Sequence, residues 1–108
     1  MENIIYSYTW DDAINDGTFI RIPEELSKQF FKYPIAITST IWNQYLDDNA
    51  SGKMHDILWM MKNGEMDGNI CRFKVKLGKK LVDMEAVCEA RGPDNPEAIM
   101  TIYLPEER

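Results

Sequence analysis

The sequence predicts an α+β fold: an antiparallel sheet of three to five strands with about four short helices packed on one face. Three observations predict it. The C-terminal third alternates apolar and polar residues through a meander of three runs, 70–77, 80–91 and 97–104, which is the period of half-buried strands. Cap and stop signals cut the chain before residue 65 into pieces of helix length. The 108 residues are expected to form a single domain, 1–108, able to bury roughly 60–70% of its unfolded surface without a disulfide or metal.

"NIIYSY" reads as an opening strand or ordered arm at 3–7, rich in Ile and Tyr. Thr9 then starts a helix. Its hydroxyl can accept from a free backbone N–H while Asp12, three residues on, completes a capping box. Asp11 and Asp12 sit at the positive end of the helix dipole, and Gly17 supplies the left-handed stop. "TFIRIP" is a short extended segment, a candidate fourth or fifth strand at 18–22. Pro23 opens the next helix, with "EELSKQFF" as its body and Leu26 and Phe30 toward the core. "PIAITSTIWNQYLDD" is expected to be helical throughout, because Ile37, Ile41 and Tyr45, like Thr38, Trp42 and Leu46, recur at helical spacing. Its β-branched residues argue the other way. "NASGK" at 49–53 reads as a loop, "HDILWMMKNG" as a helix ended by Gly64, and "EMDGN" as a second loop.

In the meander, Cys71, Phe73, Val75 and Leu77 share one face and Arg72, Lys74 and Lys76 the other. A two-residue turn at Gly78–Lys79 sets Val75 opposite Val82, Phe73 opposite Met84, Lys74 opposite Asp83 and Arg72 opposite Glu85. A turn at Lys79–Lys80 would keep the same faces together. The third run places Ala98, Met100, Ile102 and Leu104 on one face. The apolar side of the sheet is expected to be covered by Leu26, Phe30, Ile41, Leu58 and Met61.

Composition narrows the function classes. The apolar share (44%) and the charged share (28%) are those of an ordinary globule, and no run approaches the ~18 apolar residues of a membrane span. "MENIIYSYTWDD" has no basic region followed by an apolar stretch, so the expected location is cytoplasmic. The net charge of −6 repels free nucleic acid, and no direct nucleic-acid binding is expected. Residues 1–59 hold nine acids and four bases, whereas residues 60–108 hold nine acids and eight bases, so the acidity is concentrated in the helical half.

Chemistry-bearing patterns are sparse. Cys71 and Cys88 are read as structural thiols. With His55 as the single histidine, a Cys/His zinc site lacks ligands, and neither metal nor cofactor is expected. His55 stands beside Asp56 at an expected loop–helix boundary, but adjacent helical residues do not face each other and no serine stands in a nucleophile-elbow context. Arg72, Lys74 and Lys76, with Lys79 and Lys80 at the turn, form a basic cluster. It reads either as a phosphate contact or as one side of cross-strand charge pairs. Asp11, Asp12, Asp16, Glu24 and Glu25 make an acidic opening that helix capping partly explains. Trp10, Trp42 and Trp59 with Tyr6, Tyr8 and Tyr45 make the helical half rich in aromatic anchors.

Through "IIYSYTWDDAINDGTFIRIPEE" the chain resembles a family of small uncharacterised proteins carried by bacterial plasmids and phages. Ser7, Tyr8 and Thr9 match its opening step, and Ala13, Ile14, Asp16 and Gly17 its helix end. The likeness continues through "YPIAITSTIW" (Pro34, Ala36, Thr38, Trp42) and "DILWM" (Asp56 to Met60) to "MTIYLPEE". The chain departs from the pattern in a short loop before "DILWM" and in His55, where an aromatic would be more usual. The resemblance implies a mobile-element origin in a bacterial host and carries over no catalytic residue.

The function expected from these readings is a non-enzymatic acidic binding protein of mobile-element type. It would dock on and modulate a host protein, such as a defence or nucleic-acid-handling factor, through Trp10, Asp11, Asp12, Asp16, Glu24, Glu25, Asp47 and Asp48. The alternative is a small-ligand protein that sequesters a nucleotide-like signal on Arg72, Lys74 and Lys76 or at an interface between copies of the chain. A small enzyme built on His55 and nearby acids ranks third.

Overall fold

The computed structural model describes residues 8–46 and 48–107. Helix α1 (Trp10–Asp16) starts at Thr9, whose side chain accepts from Asp12 N at 3.1 Å while Asp12 Oδ2 accepts from Thr9 N at 3.0 Å. It stops at Gly17, which takes the left-handed conformation (φ 86°) that costs a glycine little. β1 (Phe19–Arg21) follows, then α2 (Glu24–Ser27), a single turn led by Pro23.

The segment after Pro34 corrects the sequence reading. It is not one helix but β2 (Ile35–Thr38) running into α3 (Ser39–Tyr45), with Thr38 Oγ1 accepting from Ile41 N to cap the helix. All four residues of β2 are buried. A strand covered on both faces shows no polar–apolar alternation, so its apolar run is indistinguishable from a buried helix by period alone. α4 (Ala50–Lys62) begins inside the expected 49–53 loop, with Asn49 left-handed before it (φ 47°). "EMD" is also strand rather than loop, β3 (Glu65–Asp67). The meander follows as β4 (Ile70–Leu77), β5 (Lys80–Gly92) and β6 (Asn95–Tyr103), closed by a 3-10 turn at Pro105–Glu107. The expected strand at 3–7 lies outside the described residues.

Among the described residues six strands make one open, mixed sheet in the order β1-β2-β6-β5-β4-β3. Five or fewer antiparallel strands were expected. The difference is β3 at one edge and β2, which lies parallel to β6 with Ile35 opposite Met100 and Ile37 opposite Ile102. The β4–β5 register is the expected one, with Val75 opposite Val82, Phe73 opposite Met84 and Lys74 opposite Asp83.

The four α-helices described do not share one face. α2, α3 and α4 cover the face that holds Ile35, Ile37, Phe73, Val75, Met84 and Ile102, with Ile41, Ile57, Leu58 and Met61 completely or nearly buried against it. Leu26 and Phe30 are half-buried on the same core. Each fully buried Ile or Leu contributes roughly 1.5–3 kcal/mol relative to exposure. Cys71 is buried among them and Cys88 half-buried, both as free thiols, and burial raises the Cys71 pKa. α1 instead lies on the opposite face, where Trp10, Ala36 and Ile99 form a second, smaller core flanked by Ile14 and Phe19, and Ala13 of α1 is also buried. The small side chain of Ala36 leaves room for the indole. β4 and the first half of β5 carry Arg72, Lys74, Lys76, Leu81 and Asp83 on that same opposite face, and these side chains are exposed.

Candidate functional site

Because α1 covers only one end of the second face, it leaves a groove of about 880 Å³ beside it. The floor comes from alternate residues of four strands: Phe19 of β1, Thr38 of β2, Ile99, Thr101 and Tyr103 of β6, and Val87 and Glu89 of β5. One wall is Tyr8, Thr9, Trp10 and Ala13; the other includes Ser39, Thr40 and Glu107. The volume falls in the range, about 300–1,000 Å³, of sites that take small molecules or a few side chains of a partner.

Each wall is held by polar contacts. Trp10 Nε1 donates to Thr101 Oγ1 at 3.0 Å, anchoring α1 to the floor. Glu107 Oε1 accepts from both Thr38 Oγ1 (3.0 Å) and Leu104 N (2.8 Å), which latches the C-terminal turn over the end of β2. Tyr8 donates to Asp16, and its hydroxyl lies 3.1 Å from Thr18 Oγ1. This bond holds the Asp16 carboxyl below the usual carboxylate range and raises the phenol pKa.

The electrostatics of the groove are one-sided. Among its described lining residues Arg91 is the sole cation, and it is already engaged. Its guanidinium forks onto Asp11 (2.9 and 3.2 Å), donates to Glu97 (2.7 Å) and lies 5.3 Å from the centre of the Trp10 ring. The Asp11 carboxyl is held below its ordinary value by that bond, and the Arg91 pKa is raised. Arg21 approaches the same indole at 6.0 Å. The lining carboxylates are Glu89 and Glu107, and behind the first wall Asp12 and Asp16 bond to the lining residues Thr9, Tyr8 and Thr18, so carboxylates flank an apolar, hydroxyl-bearing floor.

The eight residues expected to bind a partner do not converge. Trp10, Asp11, Asp12 and Asp16 are all on α1 at the groove, but Trp10 is buried (7% exposed) rather than an exposed anchor, because its ring fills the second core. Glu24 and Glu25 are exposed in the first turn of α2, on the other side of the sheet. Asp48 accepts from Lys53 Nζ at 2.6 Å, and Asp47 lies outside the described residues. Of the alternative set, Arg72 donates to Asp67 (2.9 Å) and to the buried Glu85 (3.3 Å), and Lys74 sits 3.4 Å from Asp83, as the cross-strand register required. Lys76 lies opposite Leu81.

His55 is inside α4 rather than at its start. Its ring meets Phe30 edge-on at 5.2 Å, and its Nδ1 is 3.5 Å from Asp56 in an exposed pair. The groove hydroxyls are across the sheet from it, so the single histidine of the chain cannot serve them as a base. Among the described residues no group of three or more His, Cys, Asp or Glu is placed to hold a metal ion, and no helix is long and apolar enough to cross a membrane. Sequence reasoning missed Thr38, Val87, Glu89, Thr101, Tyr103 and Glu107 as neighbours. The outward register of Val87 and Glu89 on β5 and of Thr101 and Tyr103 on β6 was readable, but the placement of β2, which brings Thr38, beside β6 was not.

The fold and the site define a small α+β protein with an acid-rimmed groove on the half-covered face of its sheet. Residues 1–57 match a family of unknown function (DUF6573), and the chain belongs to that family. The matched part carries α1, β1 and β2, hence the first wall and half of the floor, whereas β5 and β6 follow it. No curated protein and no solved structure matches the chain.

Proposed function

We propose that this chain is a non-enzymatic acidic binding protein of mobile-element type that docks on a bacterial host protein through the α1 groove. The observation that carries the reading is the pairing of an apolar floor (Phe19, Val87) with flanking carboxylates and, among the described lining residues, one cation, Arg91, that is already held by Asp11 and Glu97. Such a surface favours a basic segment that also carries an apolar side chain: the apolar part is desolvated on the floor, and the charges steer the encounter. Basic segments of this kind are typical of nucleic-acid-handling proteins, including defence factors, and covering one would modulate its grip on phosphate.

The test is affinity capture of the tagged chain from bacterial lysate at low and high salt, repeated with Val87→Trp and Glu89→Lys. A stoichiometric partner should be lost at high salt and lost again with either groove substitution, yet kept by Lys74→Glu on the far part of the sheet. A partner that survives both groove substitutions, or no partner at either salt, overturns the reading. In the second case a heat of binding with a nucleotide panel, abolished by Arg72→Ala, would favour the small-ligand alternative.

A further inference from the structure

The charge on this molecule is divided between the two ends of its longest strand. At one end the β4–β5 hairpin, residues 74–83, carries Lys74, Lys76, Lys79 and Lys80 against the single carboxylate Asp83. Leu81 stands among these lysines with 67% of its surface exposed, more than any other large apolar side chain described as exposed. The turn is tight, with Gly78 left-handed (φ 64°), so Lys79 and Lys80 project from a narrow tip. At the other end β5 forms the groove floor at Val87 and Glu89. From Lys80 to Glu89 the strand rises roughly 30 Å, at about 3.3 Å per residue, which is much of the 52 Å long axis.

The hairpin therefore cannot reach the groove of its own chain, but it matches the groove of another. It offers what the groove lacks: free cations beside an exposed apolar side chain. We infer that a second copy of this chain inserts its β4–β5 tip into the acidic groove, with Leu81 on the floor at Val87 and Lys79 and Lys80 against Glu89 and the α1 carboxylates. The contact joins two different surfaces, so it is heterologous, and each added copy leaves one tip and one groove open. Mass grows with concentration rather than stopping at a dimer. The contact rests on the groove reading above, and it makes self-association a competitor of host docking, since both fill one site.

Sedimentation equilibrium of the full chain tests it, at about 0.01 M and about 1 M salt, where the Debye length is roughly 30 and 3 Å. At low salt the average mass should climb past that of a dimer as concentration rises; at high salt it should fall to the 12.6 kDa monomer. Lys79→Glu/Lys80→Glu removes the tip and keeps the groove, while Val87→Trp/Glu89→Lys does the converse. Each variant alone should be monomeric, and an equimolar mixture should stop at a 1:1 pair, because one intact tip and one intact groove remain. Lys79, Lys80 and Glu89 are exposed, so reversing their charge leaves the fold intact, and Glu89→Lys alone serves if Val87→Trp does not fold. A monomer at low salt, a closed dimer indifferent to the tip substitutions, or a mixture that does not pair overturns the contact. The two readings fail separately. Host capture lost with self-association retained removes only the host partner, and a low-salt monomer that still captures its partner removes only the head-to-tail contact.

Discussion

Trp10 and Thr101 are 91 residues apart, and the 3.0 Å bond from the indole N–H to the threonine hydroxyl ties the first described helix to the central part of the sheet in a buried setting. Thr101→Val keeps the shape and removes the acceptor, leaving the indole N–H buried and unpaired, which should cost about 1–3 kcal/mol. Trp10→Phe should cost less than Trp10→Ala, which empties the second core and should cost about 3–5 kcal/mol. In urea unfolding, the double variant Trp10→Phe/Thr101→Val should be less destabilised than the sum of the singles. Additivity would mean that the bond contributes nothing and that α1 is held by packing alone.

Gly64 is expected to be less replaceable than its place after α4 suggests. A Cβ there would lie 2.8 Å from Arg72 O and 3.0 Å from both Cys71 Sγ and Phe73 Cβ, on a strand that cannot retreat without disturbing the core. Gly64→Ala should cost roughly 1–3 kcal/mol through overpacking. Gly17→Ala meets no atom within 4 Å, but it puts an alanine at φ 86°, so its cost of about 1–2 kcal/mol is conformational strain. Relief by Cys71→Ala, which removes the Sγ at 3.0 Å, would separate the two mechanisms: it should partly rescue the first variant and not the second.

The contrast between these glycines also explains what was readable before the structure. Local chemistry was legible: the Thr9–Asp12 capping box, the Gly17 stop, and the β4–β5 pairing of Lys74 with Asp83 and Arg72 with Glu85 all rest on residues close in sequence or on alternation. The helix that became β2 and α3 was misread because Ile37, Ile41 and Tyr45 satisfy a helical period by coincidence, while burial on both faces erased the strand period. The groove was illegible for a different reason. Thr9, Thr38, Val87 and Glu107 meet only because β2 enters between β1 and β6, a long-range choice that no local pattern encodes.

Acid should unfold the protein through carboxylates that the fold has made stronger acids. Asp11, held by Arg91, Asp16, held by Tyr8, and Asp48, held by Lys53, all have pKa values below their ordinary 3.8. Each binds its proton more weakly when folded, so its stabilisation is fully present above the ordinary value and is lost as pH falls through the lowered one. Tm should therefore decline below about pH 4, and Asp11→Asn should make that decline shallower. Tyr8 is the opposite case, with its pKa raised above 10.0 by donation to Asp16. Its contribution is present below the ordinary value and is lost as pH rises through the raised one, so Tyr8→Phe should flatten the alkaline limb and leave the acid slope from Asp11 unchanged. A Tyr8→Phe profile that matches the parent above pH 10 would rule out this role.

The Arg72–Glu85 pair should behave differently from its neighbour Lys74–Asp83, although both were read from one register. Glu85 is 4% exposed and takes Arg72 Nε at 3.3 Å, whereas Lys74 and Asp83 are both about two-thirds exposed. Removing one partner of an exposed pair changes little, so Lys74→Met should fall within about 1 kcal/mol of the parent. Arg72→Met instead withdraws a charged hydrogen bond from a desolvated carboxylate and should cost more than Lys74→Met. If the penalty comes from the bond lost to Glu85, then Arg72→Met/Glu85→Met should recover much of it, because two apolar side chains on adjacent strands replace a buried ion with packing. Urea denaturation of the three variants decides between the accounts. A double variant as unstable as Arg72→Met alone would place the loss in the arginine stem and its Asp67 contact rather than in Glu85.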